Sequence, residues 1–313
     1  MKKIALSIFL LLSIECAEGM NGMDSLTRHE NVKLDTNRVN ELIQKSYIYF
    51  FSTPDSCLIY AQEALELARK LRYTKQEIEA LQIQGEAQRF LGDFPNSLIS
   101  QFQALELAQR TKRKLEEAFS LGFIGFTYSN LGEYRQALQY LFRAESIYEH
   151  YSKHERHALN LSNIGDAYDG LGFYDSALFF VEKAWLQAQE IQHPNLMVLT
   201  LRRIGNVKMG IGDYDEALRI YHDALIRARR NNDRVNPGNI QLHIAKLHLK
   251  RNQKDSCLYY ARMALTDARI SSQRFEILEA ANLIVDMLRE EHAGQRSLLS
   301  GHRVGHEGQP FQC

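Results

Sequence analysis

The stretch IGDAYDGLGFYDSAL, from Ile164 to Leu178, decides the fold of this chain. Two glycines, Gly165 and Gly172, stand on either side of a tyrosine, and an acidic turn and an alanine follow them. A phosphate-binding loop also uses closely spaced glycines, but it needs a preceding strand and a lysine, and both are missing here. The stretch therefore indicates a structural unit that the chain uses several times.

Small residues recur along the chain at intervals of forty residues, which marks six successive units. The three series are Gly85, Gly125, Gly165 and Gly205; Gly92, Gly132, Gly172 and Gly212; and Ala64, Ala104, Ala144, Ala184, Ala224 and Ala264. Self-similarity at a fixed period is the sequence signature of a protein built from stacked repeats.

Each unit is predicted to form two helices joined by a short turn. In the fourth unit, the apolar and small positions fall on two helical stripes, which are Leu161, Ile164, Gly165 and Tyr168, and Ala177, Val181, Ala184 and Ala188. Gly172 suits the left-handed position that ends a helix, and Asp175 or Ser176 is expected to cap the next helix. None of the five prolines falls in a predicted helix interior.

The pattern Leu161-x2-Ile164-Gly165-x2-Tyr168 with Ala177-x3-Val181 resembles the tetratricopeptide repeat (TPR), and the same template fits the other units. The forty-residue unit is longer than usual and resembles the long-repeat type of exported bacterial regulatory and adaptor proteins. The resemblance implies an all-α fold, a right-handed α-α superhelical solenoid of about six TPR helical hairpins plus a C-terminal capping helix.

The resulting division of the chain is as follows: a signal peptide at 1–19, a linker at 20–37, repeats at 38–77, 78–117, 118–157, 158–197, 198–237 and 238–277, a capping helix at 278–291 and a disordered tail at 292–313. The signal peptide is predicted from two lysines before an apolar run that is too short to span a bilayer. Cleavage before Met20 predicts an exported chain, periplasmic or secreted. Lipidation of Cys16 is the alternative, and it is the only membrane attachment expected.

Composition and motifs argue against several classes of function. Thirty-eight basic residues balance thirty-eight acidic ones, so no overall field favours nucleic acid, and no nucleic-acid partner is expected. Cys57 and Cys257 occupy a small-residue position of distant repeats, which predicts packed thiols rather than a disulfide. No nucleophile or cofactor motif is present, and glycines interrupt the His302-x3-His306 spacing. The chain is therefore expected to be no enzyme, with no cofactor and no bound metal.

The family resemblance implies that the first helix of each repeat lines a concave wall for a protein or peptide ligand. In the third repeat this wall is predicted to carry Phe119, Phe123 and Phe126. An apolar surface of this size is expected to be covered. It can be covered by a neighbouring repeat, by a second copy of the chain or by an apolar ligand segment.

The later repeats are predicted to give the same wall a polar stretch. Its residues are Asn163, Asp166, Arg202, Arg203, Asn206, His243 and Lys246. Arg202 and Asn206 lie one turn apart and resemble positions at which some family members clamp a terminal carboxylate. His243 departs from that clamp, and Glu279 and Leu283 do not supply its third pair. A solvated face with intrahelical ion pairs is the alternative.

These features predict a non-catalytic protein- or peptide-binding scaffold in an exported compartment. The phenylalanines would provide affinity and the polar stretch would orient the ligand. The alternative is the ligand-sensing half of a membrane-bound signal-transduction regulator whose kinase or DNA-binding effector has been lost by truncation.

Overall fold

The computed structural model describes residues 36–50, 53–151, 155–271 and 273–304, with side chains described as far as residue 290. These residues form thirteen α-helices and no strand. The first, α1, spans residues 36–49. The others are α2 Pro54–Leu71, α3 Thr74–Phe90, α4 Phe94–Arg110, α5 Lys114–Asn130, α6 Tyr134–Tyr148, α7 Glu155–Gly170, α8 Tyr174–Glu190, α9 Pro194–Ile211, α10 Tyr214–Arg230, α11 Asn236–Lys250, α12 Lys254–Ile270 and α13 Arg274–Val304.

Consecutive helices pack against each other as hairpins, and the first helices of neighbouring hairpins also touch, as α5 and α7 do. The predicted all-α superhelical solenoid is therefore confirmed. Its core is a succession of small apolar clusters, each shared by adjacent hairpins, because a single hairpin is too small to bury its own apolar face. No helix within the described ranges is both long enough and apolar enough to cross a membrane.

The last helix, α13, is longer than the expected capping helix at 278–291. It continues to Val304 through the start of the segment that was expected to be disordered. Ala293, Gln295 and Arg296 are good helix formers, so they extend the helix even though the repeat pattern has ended. The predicted signal peptide, Cys16 and the chain beyond Val304 lie outside the described residues.

The turns inside the hairpins contain glycines in the left-handed conformation, as predicted. Gly172 has a φ of +77°, and the amides of Gly172 and Phe173 donate to the carbonyls of Asp169 and Tyr168. The capping prediction is wrong. The N-cap of α8 is Phe173, which has no side-chain cap, because the helix resumes at once after the left-handed glycine. Asp175 therefore lies inside the first turn of α8 rather than at its cap.

The glycines in the middle of the first helices are packing residues. A Cβ on Gly165 would lie 2.5 Å from Cγ1 of Val181 in α8. Between repeats, the ring of Tyr134 occupies the space beside Gly170, and the ring of Tyr174 lies 2.5 Å from a Cβ on Gly210. Each tyrosine begins a second helix and packs against the first helix of the next repeat.

Cys57 in α2 and Cys257 in α12 are free thiols with no exposed surface, which confirms the prediction of packed cysteines. Burial raises the pKa of Cys57 to about 12 and also raises the pKa of Cys257. Both thiols are therefore protonated and shielded in the folded chain.

Candidate ligand-binding groove

The three predicted phenylalanines lie on α5, and guanidinium groups from other helices cover them. Phe123 is buried, whereas Phe119 and Phe126 are partly exposed. The Cζ atom of Arg156 lies 4.6 Å from the ring centroid of Phe119 and 4.9 Å from that of Phe123. These distances are typical of cation–π contacts.

Phe126 has two such neighbours. The Cζ atom of Arg89 in α3 lies 4.3 Å from its ring centroid, and that of Arg203 in α9 lies 5.7 Å away. First helices of three different repeats thus meet at this ring. The side chains that cover the phenylalanines are therefore charged.

Two depressions open on either side of Phe123 and Arg156. The first, called here the aromatic pocket, holds about 230 Å³ of open space. It is lined by Phe119, Gly122, Phe123, Tyr148, Arg156, Leu159, Asn160 and Asn163. The second holds about 250 Å³ and adds Tyr47, Phe50, Gln82, Ile83 and Glu86. Together the two form a groove across α1, α3, α5 and α7.

Asn160 is fixed at the base of the aromatic pocket. Its Nδ2 donates to the carbonyl of Leu141 at 3.2 Å and to Oε2 of Glu145 at 3.0 Å. Its Oδ1 is buried and has no hydrogen-bond partner. Asn163, which is 3% exposed, also has a buried Oδ1 without a partner.

The Glu145 carboxylate holds Asn160 in this orientation. Burial would raise the pKa of Glu145, but hydrogen bonds from His157 and Asn160, together with the charge of Lys183, lower it overall. The Nε2 atom of His157 lies 3.0 Å from Oε1 of Glu145, and the His157 ring stacks on Tyr148. The Asn160 amide therefore bonds to an ionised carboxylate and cannot turn its oxygen away from the pocket.

Two of the predicted wall residues, Asp166 and Arg203, lie near Phe126 and face each other. Arg203 is 3% exposed, and its Nη1 donates to the carbonyl of Ser162 at 2.5 Å. Its Nε lies 4.0 Å from Oδ1 of Asp166. Burial lowers the pKa of Arg203 to about 10, although Asp166 opposes that shift. Burial and the charge of Asp166 raise the pKa of Asp169 to about 6.

The remaining predicted residues contact one another or other helices. Nη1 of Arg202 lies 3.3 Å from Nε2 of His243, whose ring stacks on Tyr221. The Tyr221 hydroxyl donates to Oδ1 of Asn206 at 2.8 Å. Burial lowers the pKa of His243 well below its ordinary value, and the nearby Arg202 lowers it further, so the ring is neutral. Lys246 forms an ion pair with Glu279 of α13, at 2.9 Å.

The profile of the Tetratricopeptide repeat family matches residues 200–235, which include most of α9 and all of α10. The chain therefore contains a tetratricopeptide repeat and has the TPR fold, and it is called a TPR protein below in that sense. Helices α9 and α10 form one of the six hairpins of the described chain that share the forty-residue register. The family match therefore falls on one repeat of the observed solenoid. A comparison of this TPR protein with curated protein sequences gave no match.

Solved structures share the fold of this TPR protein. The apo form of RapI has a TM-score of 0.64 at 19% identity, over 75% of this chain and 84% of that one. A Rap protein complexed with Competence and Sporulation Factor has a TM-score of 0.63 at 13% identity, over 85% of this chain and 87% of that one. The Rap conjugation gene regulator of plasmid pLS20, in complex with the Phr* peptide, has a TM-score of 0.59 at 14% identity, over 82% of this chain and 74% of that one. Such identities show the fold alone.

All ten predicted site residues of the TPR protein lie on α5, α7, α9 and α11. The structure brings Phe126, Arg203 and Asp166 together and places Asn163 and Phe119 in the lining of the same pocket. Lys246 is held at the far end by α13. Within the described part of the chain, no three His, Cys, Asp or Glu side chains are grouped to hold a metal.

Sequence reasoning missed most of the groove lining, and the four missed residues that matter most here are Gly122, Arg156 and Asn160 in the groove and Arg89 over Phe126. All four lie on first helices, so the forty-residue register could have included them among wall positions. Their contacts depend on side chains from neighbouring repeats, and the register carries no signal for those contacts.

Proposed function

We propose that this TPR protein is a scaffold that binds a peptide or protein segment in its concave groove without catalysing a reaction. The observation that carries the proposal is the aromatic pocket. Its base holds two buried amide oxygens without partners, on Asn160 and Asn163. Buried polar atoms are normally hydrogen-bonded, so a ligand that donates to them would satisfy them.

The groove is organised before a ligand arrives. Phe119 and Phe123 already lie under Arg156, and the amide of Asn160 is fixed by Leu141 and Glu145. Side chains that are ordered in the free protein lose little further entropy on binding. A short segment can therefore bind with useful affinity through a few apolar anchors.

The comparison structures support a peptide as the class of ligand. One is the Rap regulator in complex with the Phr* peptide, and it shares this fold. The polar wall residues also support a binding role over a catalytic one. Arg202, His243 and Lys246 engage one another or other helices, which leaves them poorly placed to transfer protons to a substrate.

We further propose that the scaffold acts in an exported compartment. The support is the N-terminal pattern of two lysines followed by an apolar run. Expression with the native N-terminus, followed by mass determination of the mature chain, tests this part. Recovery of an uncleaved chain only in the cytosolic fraction would contradict it.

Selection from a random peptide library tests the proposed binding function. The immobilised wild-type chain is expected to enrich peptides that compete with one another for a single site. Arg202→Glu places a negative charge in the concave wall and is expected to reduce capture at least tenfold. Arg219→Glu makes the same charge change on α10, at a side chain that is 75% exposed, and is the matched control.

Both variants should keep the helical circular dichroism and the cooperative melting of the wild type. Equal capture by Arg202→Glu and the wild type would remove the concave wall as the binding surface. The absence of any enriched peptide would contradict the proposed function as a whole.

A further inference from the structure

Gly122 is unusual among the glycines of the described helices. Glycine destabilises a helix interior relative to alanine, so it needs a reason to be there. At Gly125 and Gly165 the reason is packing, since an added Cβ would lie 2.6 Å and 2.5 Å from the nearest side chain. A Cβ on Gly122 would meet only Oδ1 of Asn160, at an ordinary 3.5 Å.

The fold therefore has room for alanine at position 122, and no φ requirement favours glycine there. The missing methyl group instead leaves a methyl-sized space at the base of the aromatic pocket, next to the buried Asn160 oxygen. At the equivalent positions of the flanking repeats, forty residues away, stand Gln82 and Ser162, which both carry side chains. The opening is thus specific to the third repeat.

The chemistry of the pocket is defined by its base and its walls. The base presents acceptors, because Asn160 is 2% exposed, its Nδ2 is already bonded, and its Oδ1 is without a partner. Asn163 adds a second unpartnered Oδ1. The walls are the rings of Phe119 and Phe123, and the Arg156 guanidinium lies over both rings. A guanidinium in this position also attracts the face of a further aromatic ring.

We propose that the aromatic pocket takes one aromatic side chain with an O–H or N–H donor, a tyrosine or a tryptophan, from the bound segment. This inference rests on the proposed function and names what the groove recognises. The ring packs beside Phe123 and the Arg156 guanidinium, and its donor reaches Oδ1 of Asn160.

Such a pocket discriminates between side chains of nearly the same shape. A phenylalanine fills the apolar walls equally well, but it leaves the Asn160 oxygen buried and unpaired. Sites built to bond a hydroxyl strongly reject the analogue that lacks it. The expected preference is therefore at least tenfold for tyrosine over phenylalanine.

Titration with two capped amino acids measures this preference directly. N-acetyltyrosinamide and N-acetylphenylalaninamide differ only in the hydroxyl group, and NMR shifts of the labelled wild-type chain report binding of each. Millimolar dissociation constants suffice for this method. Saturable binding of the tyrosine probe, at least tenfold tighter than that of the phenylalanine probe, supports the proposal. Equal affinities, or no binding of the tyrosine probe, would overturn it.

Gly122→Ala tests the opening at the base of the pocket. The variant is expected to melt at a temperature no lower than the wild type, and to bind the tyrosine probe at least tenfold more weakly. Ser162→Ala is the control, because it removes one side-chain atom at the equivalent position of the next repeat. It should leave the affinity for the tyrosine probe unchanged. Undiminished affinity in Gly122→Ala would refute the assignment.

Asn163→Leu tests the polar side of the pocket. The equivalent positions in α3 and α13 are Ile83 and Leu283, so the fold accepts an aliphatic side chain there. The variant is expected to lose part of the preference for tyrosine while still binding both probes. A preference equal to that of the wild type would show that the Asn163 amide takes no part.

The tests of this inference and of the proposed function fail in different ways. Library peptides that bind the groove while the tyrosine probe does not would overturn the inference and leave the function standing. Binding of the tyrosine probe that is lost in Gly122→Ala, without capture of any peptide, would overturn the proposed function and the assignment to a bound segment.

Discussion

Arg274, in the first turn of α13, donates to the carboxylate of Asp55, in the first turn of α2, at 2.9 Å. Positions 55 and 274 are 219 residues apart, yet the first hairpin and the final helix of the described solenoid meet at this contact. The second depression of the groove shows the same curvature, since it includes Tyr47 of α1 and Arg156 of α7. The superhelix therefore curves far enough to bring its two ends together.

Charge reversal at this contact is expected to affect shape more than stability. Both side chains are more than half exposed, at 59% and 67%, and exposed ion pairs contribute at most about 1 kcal/mol. Arg274→Glu should therefore leave the urea midpoint nearly unchanged. It should increase the radius of gyration measured by small-angle scattering.

The double variant Asp55→Arg with Arg274→Glu restores an ion pair of opposite polarity. Its scattering profile is expected to return to that of the wild type. An unchanged radius of gyration in the single variant would show that the ion pair does not hold the ends together.

The raised pKa of Asp169 predicts a pH dependence of stability. Its folded-state value is about 6 against an ordinary 3.8, so between these values the folded state binds more protons than the unfolded state. This carboxylate therefore costs stability at pH 7, and the cost disappears as the pH falls toward 4. Asp169→Asn should stabilise the fold by roughly 1–2 kcal/mol at neutral pH, after allowance for solvent screening.

Urea unfolding at pH 7 and pH 4 checks this prediction, since the gain should vanish at the lower pH. Asp166→Asn is the matched comparison on the same helix. It removes the carboxylate that faces the buried Arg203, so it should destabilise the fold at pH 7. A loss of stability in Asp169→Asn at pH 7 would contradict the raised pKa.

The turns between repeats offer a simple route to stabilisation. Gln192 has a φ of +52°, a left-handed conformation that glycine adopts without strain. Gln192→Gly is therefore expected to raise the free energy of unfolding by about 0.5–1 kcal/mol. Gly172→Gln makes the opposite exchange at a φ of +77° and should lower it by a similar amount. Denaturant unfolding measures the free energy of unfolding of both variants. A change of the same sign in the two variants would refute the argument.

The buried thiols provide a probe of global unfolding. Cys57 has a pKa raised to about 12 by burial, and Cys257 is also buried and protonated. In a chain with Ser at positions 16 and 313, a thiol reagent at pH 8 should react only as fast as the fold opens. The modification rate should therefore rise with urea in parallel with the loss of helical signal. Rapid modification in native buffer would contradict the packing of these cysteines.

The forty-residue period predicted the architecture because repeat packing depends on local spacing. Gly172 at a helix end and Ala177 at a tight helix contact follow from the geometry of a single hairpin. The same logic placed Cys57 and Cys257 in the core. Helix ends were harder to predict, because Phe173 takes the cap position of α8 without a side-chain hydrogen bond.

The groove was only partly predictable for a physical reason. Phe119 and Phe126 were recognisable as apolar positions on the concave side of a helix. Their cover by Arg156 and Arg89 depends on how neighbouring repeats are inclined to each other, which the sequence of one repeat does not specify. The role of Gly122 required knowing that no neighbouring atom crowds it.

The packing of Tyr134 against Gly170, and of Tyr174 against Gly210, has a mechanical consequence. Each ring fills a notch in the following repeat, so these two joints resist shear better than joints without such a fit. At the equivalent joints the glycine is replaced by Asn130 or Lys250. A chain stretched from its two termini should therefore come apart at the outer repeats first, and the three central hairpins should separate last.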